Sequence, residues 1–107
     1  MARSLKILDG AKADYQRLKS YIVSDFGKPV WSSVNKDFEK AARAVCKDPE
    51  TGARIEELAT FGLPNFRKYL VGQTWMIYEF SDADVVIHLF IGTRQDFEAH
   101  LLGRLLG

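Results

Sequence analysis

Hydrophobic positions change their period several times along the chain. Ser4–Leu8 carries Leu5, Ile7 and Leu8 in a stretch too short for a helix and reads as a first strand. From Ala11 to Phe26 the period becomes helical, with Ala11, Tyr15, Leu18 and Ile22 at three- and four-residue spacings. Asp9 stands where its carboxylate would cap this helix, and Gly27 suits a left-handed stop at its end. Pro29 opens a second helix in the first turn, where its missing N–H is no loss. Val30, Val34, Phe38, Ala41 and Val45 continue at helical spacing until Asp48-Pro49 ends the helix near Lys47. With only Gly27 and Lys28 between them, the two helices should fold back as an antiparallel hairpin.

The second half is different. After a turn at Pro49-Glu50-Thr51-Gly52, Ala53–Leu58 reads as a short strand or an extended segment, and Ala59–Asn65, with Gly62 and Pro64, as loop. Phe66–Val71, Thr74–Phe80 and Val85–Ile91 read as three strands joined by hairpin turns at Gly72-Gln73 and Ser81–Asp84, an antiparallel meander. Asp96–Leu106 closes the chain as a helix with Phe97, Leu101 and Leu105 on one face. The order predicts an α+β domain: an N-terminal strand, a helical hairpin packed on a twisted antiparallel sheet, and a short C-terminal helix. The strands are apolar on both faces, with Tyr69, Trp75, Ile77, Val86 and Phe90 set against Phe66, Leu70, Met76, Ile87 and Leu89. One face takes the hairpin; the other would expose an apolar patch unless something covers it, and such patches mark partner sites.

Composition narrows the class. At 107 residues, 47% hydrophobic, the chain is one domain with a modest core. The single Cys46 excludes an internal disulfide framework and fits a reducing compartment. No signal-like or membrane-spanning apolar run occurs, so a soluble, cytoplasmic protein is expected. The net charge of +1, from 15 Lys+Arg against 14 Asp+Glu, neither demands nor excludes a nucleic-acid partner.

Three residues could carry chemistry. Arg94 stands where sheet gives way to helix, and Arg67 begins the first meander strand; each could meet a phosphate or carboxylate with a two-pronged guanidinium. Their places on the outer strands of the meander put them at opposite ends. His100 shares a helix face with Asp96 and Arg104, and a carboxylate beside an imidazole raises its pKa and orients the ring, as a general acid requires. The plainer alternatives are solvated arginines and a surface histidine. His88 and Cys46 read as packing residues. No metal-ligand spacing and no nucleotide-binding or hydrolase motif is present, so no cofactor is expected.

The whole chain resembles the RelE/ParE superfamily of bacterial toxins from type II toxin–antitoxin systems. The resemblance is carried by the N-terminal strand, by Ala11-x-x-Asp14-Tyr15-x-x-Leu18-x-x-Tyr21-Ile22, by Pro49-x-x-Gly52, and by Phe66-Arg67, Ile77-Tyr78-Glu79 and Arg94-Gln95-Asp96. It implies the fold already reasoned and a hetero-oligomer with a cognate antitoxin. It implies one of two targets. RelE-like members cut messenger RNA on the ribosome without a metal; in that branch Arg67 and Arg94 would hold the phosphate and His100 would protonate the leaving oxygen. ParE-like members poison DNA gyrase; in that branch Arg94 and Trp75 would face the target. Trp75 replaces an arginine that many RelE-like nucleases carry three places before the strand tyrosine, and those nucleases are strongly basic. Both departures favour the ParE-like branch. An inactive member serving only antitoxin binding and operon autoregulation is the third reading. The C-terminal leucines Leu101, Leu102, Leu105 and Leu106 are the expected antitoxin surface.

Overall fold

The computed structural model describes residues 2–106. A strand β1 (Ser4–Ile7) leads into two long helices, α1 (Asp9–Phe26) and α2 (Lys28–Lys47). A single 3-10 turn at Pro49–Thr51 precedes β2 (Ala53–Arg54) and a short helix α3 (Glu56–Thr60). The meander β3 (Phe66–Val71), β4 (Thr74–Phe80) and β5 (Asp84–Gly92) follows, and α4 (Phe97–Leu106) closes the fold. The five strands form one open sheet in the order β1-β5-β4-β3-β2. β1 runs parallel to β5 and the other neighbours pair antiparallel. This is the expected α+β architecture, with the α1–α2 hairpin across one face.

The hairpin is seated by aromatic rings. Tyr15 packs edge-on to Trp31 and Phe38 at 5.2 and 5.3 Å between centroids and against Phe90 at 5.0 Å. Gly27, at φ +92° and ψ 164°, gives the abrupt reversal between the helices, a conformation open to glycine almost alone.

Four local expectations change. Asp9 lies inside the first turn of α1 and its side chain makes no capping bond; there its charge still meets the positive end of the helix dipole. The segment Ala53–Leu58 divides, because only Ala53 and Arg54 pair with β3 while Ile55 and Leu58, three apart, turn into the core at the start of a helix. The sheet's second face is not open: Ile55, Leu58, Phe97, Leu101 and Leu105 pack over Phe66, Trp75, Ile77, Leu89 and Ile91. Finally, the alternation of β5 is broken by a bulge, since Ile77 pairs with Leu89 while Tyr78 pairs with Ile87. The extra residue, His88, shifts the parity. Ile87, Phe90, Met76 and Tyr78 therefore join the hairpin side, while Ile77 and Trp75 join the side of α4.

Tyr78 pins the middle of the chain. It is completely buried, and its hydroxyl donates to the Pro49 carbonyl and accepts the Gly52 N–H at 3.1 Å. A Cβ on Gly52 would collide with that hydroxyl and reach the Lys68 carbonyl at 2.9 Å, so this glycine is required by close approach, its φ being an ordinary −76°. Removing either partner strands buried polar groups. Tyr78→Phe should lower the unfolding free energy by about 1–3 kcal/mol in a urea titration, and Gly52→Ala by at least as much. Burial pushes the Tyr78 phenol from 10.0 up to about 12. The folded protein thus keeps a proton that the unfolded chain releases, so the stability from this group is complete below pH 10 and is lost as pH rises toward 12. Tyr78→Phe should flatten the alkaline limb of the stability–pH profile; an unchanged limb would contradict this assignment.

Candidate functional site

The short length of β1 creates the central polar site. β1 stays beside β5 only as far as Ile87, whose carbonyl accepts the Leu8 N–H at 3.1 Å. Past that point the chain turns into α1, and the outer edge of β5 runs on beside it. Two side chains take up the edge. Asp14 of α1, only 7% exposed, accepts the Phe90 N–H at 3.1 Å, and Arg104 of α4 donates to the His88 carbonyl at 2.9 Å. The same two residues form a two-pronged pair, Nη1–Oδ2 at 2.9 Å and Nη2–Oδ1 at 2.6 Å. Arg17, one turn along α1, adds a third guanidinium contact to Asp14. The hydrogen bond to Asp14 holds Arg104 more firmly protonated than a free guanidinium, in spite of partial burial. Gly10 lies beneath: a Cβ there would sit 3.0–3.3 Å from the Arg104 guanidinium.

This network floors a cleft of about 1050 Å³ between the turn end of the helical hairpin, the β3–β4 turn and the end of β5. Leu18, Tyr21, Phe26 and Val30 make its apolar wall, Asp37 and Gln95 line it, and His100 and Arg104 close it on the α4 side. Tyr21, Phe26 and Val30 are exposed, which is unusual for side chains of their size in one wall.

The residues singled out in the sequence are not gathered at one point. Arg94 is exposed in the turn after β5, with no hydrogen bond or ion pair among the described residues. That turn is fastened to the β3–β4 hairpin through Thr93 N–H to the Gln73 carbonyl, at 3.0 Å. Arg67 lies toward the other end of the sheet, opposite Tyr78 in the register, and its Nη1 donates to the Gly52 carbonyl at 3.1 Å. Its Nε is buried without a partner. His100 is exposed on the cleft rim, but Asp96 does not pair with it: that carboxylate caps α4 by accepting the Ala99 N–H at 3.2 Å, and Arg104 turns away to Asp14. Trp75 is half-buried beside Phe97, and the Lys68 ammonium lies over both rings at 4.8 and 4.6 Å. Of the C-terminal leucines, Leu101 is 1% exposed and Leu105 packs beside it, both spent on the chain's own core because α4 covers the sheet. Leu102 and Leu106, at 40% and 86%, remain on the surface.

The Asp14–Arg104 pair was missed in the sequence reading, yet a signal for it exists. Asp14 follows Ala11 by three and precedes Leu18 by four, so an acid sits in the apolar stripe of α1 and demands a buried donor. Arg104 as that donor is not legible from helix spacing, which groups it with Asp96 and His100. His88 also has a partner the strand pattern hides: its Nε2 lies 3.1 Å from Glu79 Oε1, and its ring packs on Phe66.

The N-terminal strand, the hairpin packed on a mostly antiparallel sheet and the C-terminal helix are the arrangement that the RelE/ParE resemblance implies. The chain belongs to the ParE toxin family of type II toxin–antitoxin systems (parDE), whose sequence profile matches residues 5–97. Its fold is similar to a chain of the solved structure described as the chromosomal ParDE TA system from P. aeruginosa, with 15% sequence identity and a TM-score of 0.67, over 85% of this chain and 96% of that one. A comparison with curated proteins finds no match.

Asp14→Ala would leave two guanidinium groups and the Phe90 N–H without their acceptor. The expected loss is about 3–5 kcal/mol of unfolding free energy, as for other buried pairs broken from one side. Hydrogen exchange should speed up first in α4, because Arg104 is its polar tie to the sheet. Unchanged protection in α4 would contradict this.

Proposed function

We propose that the chain is a growth-inhibiting toxin that acts on DNA gyrase by binding, without catalysing a reaction of its own, and that a cognate antitoxin neutralises it. Membership of the ParE family supports the toxin role and implies the antitoxin. The observation that carries the non-catalytic reading is the placement of Arg67. The endonuclease reading needs two cations and an acid around one phosphate. Arg67 is engaged with the Gly52 carbonyl toward the other end of the sheet from Arg94, and Trp75 stands where many nucleases of the superfamily place a further arginine. Arg94, exposed and unengaged among the described residues, is the residue assigned to the target. Trp75 packs beside Phe97, three residues on from Arg94, at 6.4 Å between ring centroids. For the antitoxin, Leu102 and Leu106 continue the exposed apolar surface expected on α4.

Purified protein added to a gyrase supercoiling reaction should inhibit it and leave ribosome-bound messenger RNA intact. Arg94→Ala should weaken inhibition at least tenfold while stability stays within about 0.5 kcal/mol, as for an exposed substitution. Cut transcripts with normal supercoiling would overturn the proposal in favour of the endonuclease. Absence of both activities in a folded protein would leave antitoxin binding and autoregulation. Leu102→Asp with Leu106→Asp should weaken antitoxin binding measured by calorimetry without unfolding the toxin.

A further inference from the structure

The near-zero net charge conceals a segregated one. Lys36, Lys40, Arg43 and Lys47 follow one another on α2 at spacings of four, three and four residues. At 3.6 residues per turn they fall within about 60° of arc and form a straight ridge about 16 Å long. Of the four buried residues of α2, Phe38, Ala41 and Val45 lie on the opposite side of the helix and Cys46 about a quarter turn from the ridge. All four cations are exposed, and none is in an ion pair among the described residues. They carry +4 of a total of +1, which leaves −3 for the rest of the chain (1 − 4 = −3). Of the neighbouring acids, Asp37 lines the cleft and Asp48 caps the next turn through the Glu50 N–H, while Glu39 accepts the Asn35 amide at 2.9 Å and borders the pocket beside Arg43 and Lys47. Arg3 lies near Arg43 and Lys47 but is not part of the ridge, because its guanidinium donates to the Ser81 carbonyl at 2.6 Å.

We propose that this ridge binds the sugar–phosphate backbone of duplex DNA, independently of sequence. A row of cations on a rigid helix matches a rigid row of phosphates, where binding gains from counterion release. Other polyanions fit less well. An anionic membrane requires apolar side chains inserted beside the charges, and the ridge is flanked by Ser32, Ser33 and Ala44. A single strand requires aromatic rings on which bases stack, and the ridge has none. An acidic protein requires an anchoring apolar contact, since exposed ion pairs contribute little by themselves, and the apolar pocket of Ala2, Leu5 and Ala42 adjoins only Arg43 and Lys47, at one end of the ridge. The choice of DNA over duplex RNA rests on the gyrase reading; the ridge itself does not.

The test uses the purified full chain and a labelled 30-base-pair duplex of arbitrary sequence, with no gyrase present, so its outcome is separate from that of the supercoiling assay. Anisotropy titrations from about 50 to 200 mM salt should show weak binding whose log–log salt slope is about −3.6, four phosphates at 0.9 each. Each of Lys36→Gln, Lys40→Gln, Arg43→Gln and Lys47→Gln should reduce the slope by about 0.9, and the fourfold variant should abolish binding with an unchanged circular dichroism spectrum. Lys12→Gln and Lys19→Gln on α1 should leave it as it was. No binding at 50 mM salt, or a slope indifferent to the ridge substitutions, would overturn the proposal. So would tighter binding to single-stranded DNA, to duplex RNA of equal length or to phosphatidylserine vesicles.

Discussion

The fold turns on one buried carboxylate. Asp14 gathers a backbone N–H from β5 and the two guanidinium groups of Arg104 and Arg17 at a place where the sheet has lost its edge partner. A charged side chain so deeply placed costs several kcal/mol in desolvation and persists only with every lone pair engaged. Here it is engaged from three directions, so the site specifies geometry more than it adds stability. It fixes how far β1 extends, where β5 passes under α1 and where α4 lies against the sheet. Gly10, without a side chain, leaves the room that Arg104 occupies.

The second anchor, Tyr78 with Pro49 and Gly52, does the same for the other end of the sheet. Together the two join residues far apart in the chain. Asp14 belongs with Arg104, and Tyr78 with the Pro49-x-x-Gly52 turn, through contacts that join a helix or turn to a strand. Between the anchors the sheet is sandwiched on both faces, by the hairpin through Tyr15, Phe38 and Phe90 and by the closing helix through Leu101. The surface left over is polar on the back of α2 and apolar around the cleft mouth, two regions suited to different partners.

The long elements were legible because their apolar periods are long. α1, α2 and the three meander strands emerged within a few residues of their observed ends. What was not legible depends on tertiary pairing. The bulge at His88 comes from register against β4 and has no marker in the sequence of β5, so the faces of the strands could not be sorted correctly. The covering of the second face required Ile55 and Leu58 to be read as one helical step, which a six-residue segment does not reveal. Among the candidate site residues, the opposite placement of Arg67 and Arg94 follows from the meander alone. The engagement of Asp96 as a cap, and of Arg104 with Asp14, does not, because helix spacing shows which side chains are neighbours and not which partner wins.

The ParE family assignment and the fold place the exposed Arg94 turn, the apolar cleft mouth and Leu102 on a frame held by Asp14 and Arg104. Those two residues act as a unit. A double-mutant cycle in urea, with Asp14→Leu, Arg104→Met and the pair together, measures this directly. A coupling of at least about 2 kcal/mol is expected, with the double variant more stable than the sum of the single losses implies. Losses that add to within about 0.5 kcal/mol would contradict it.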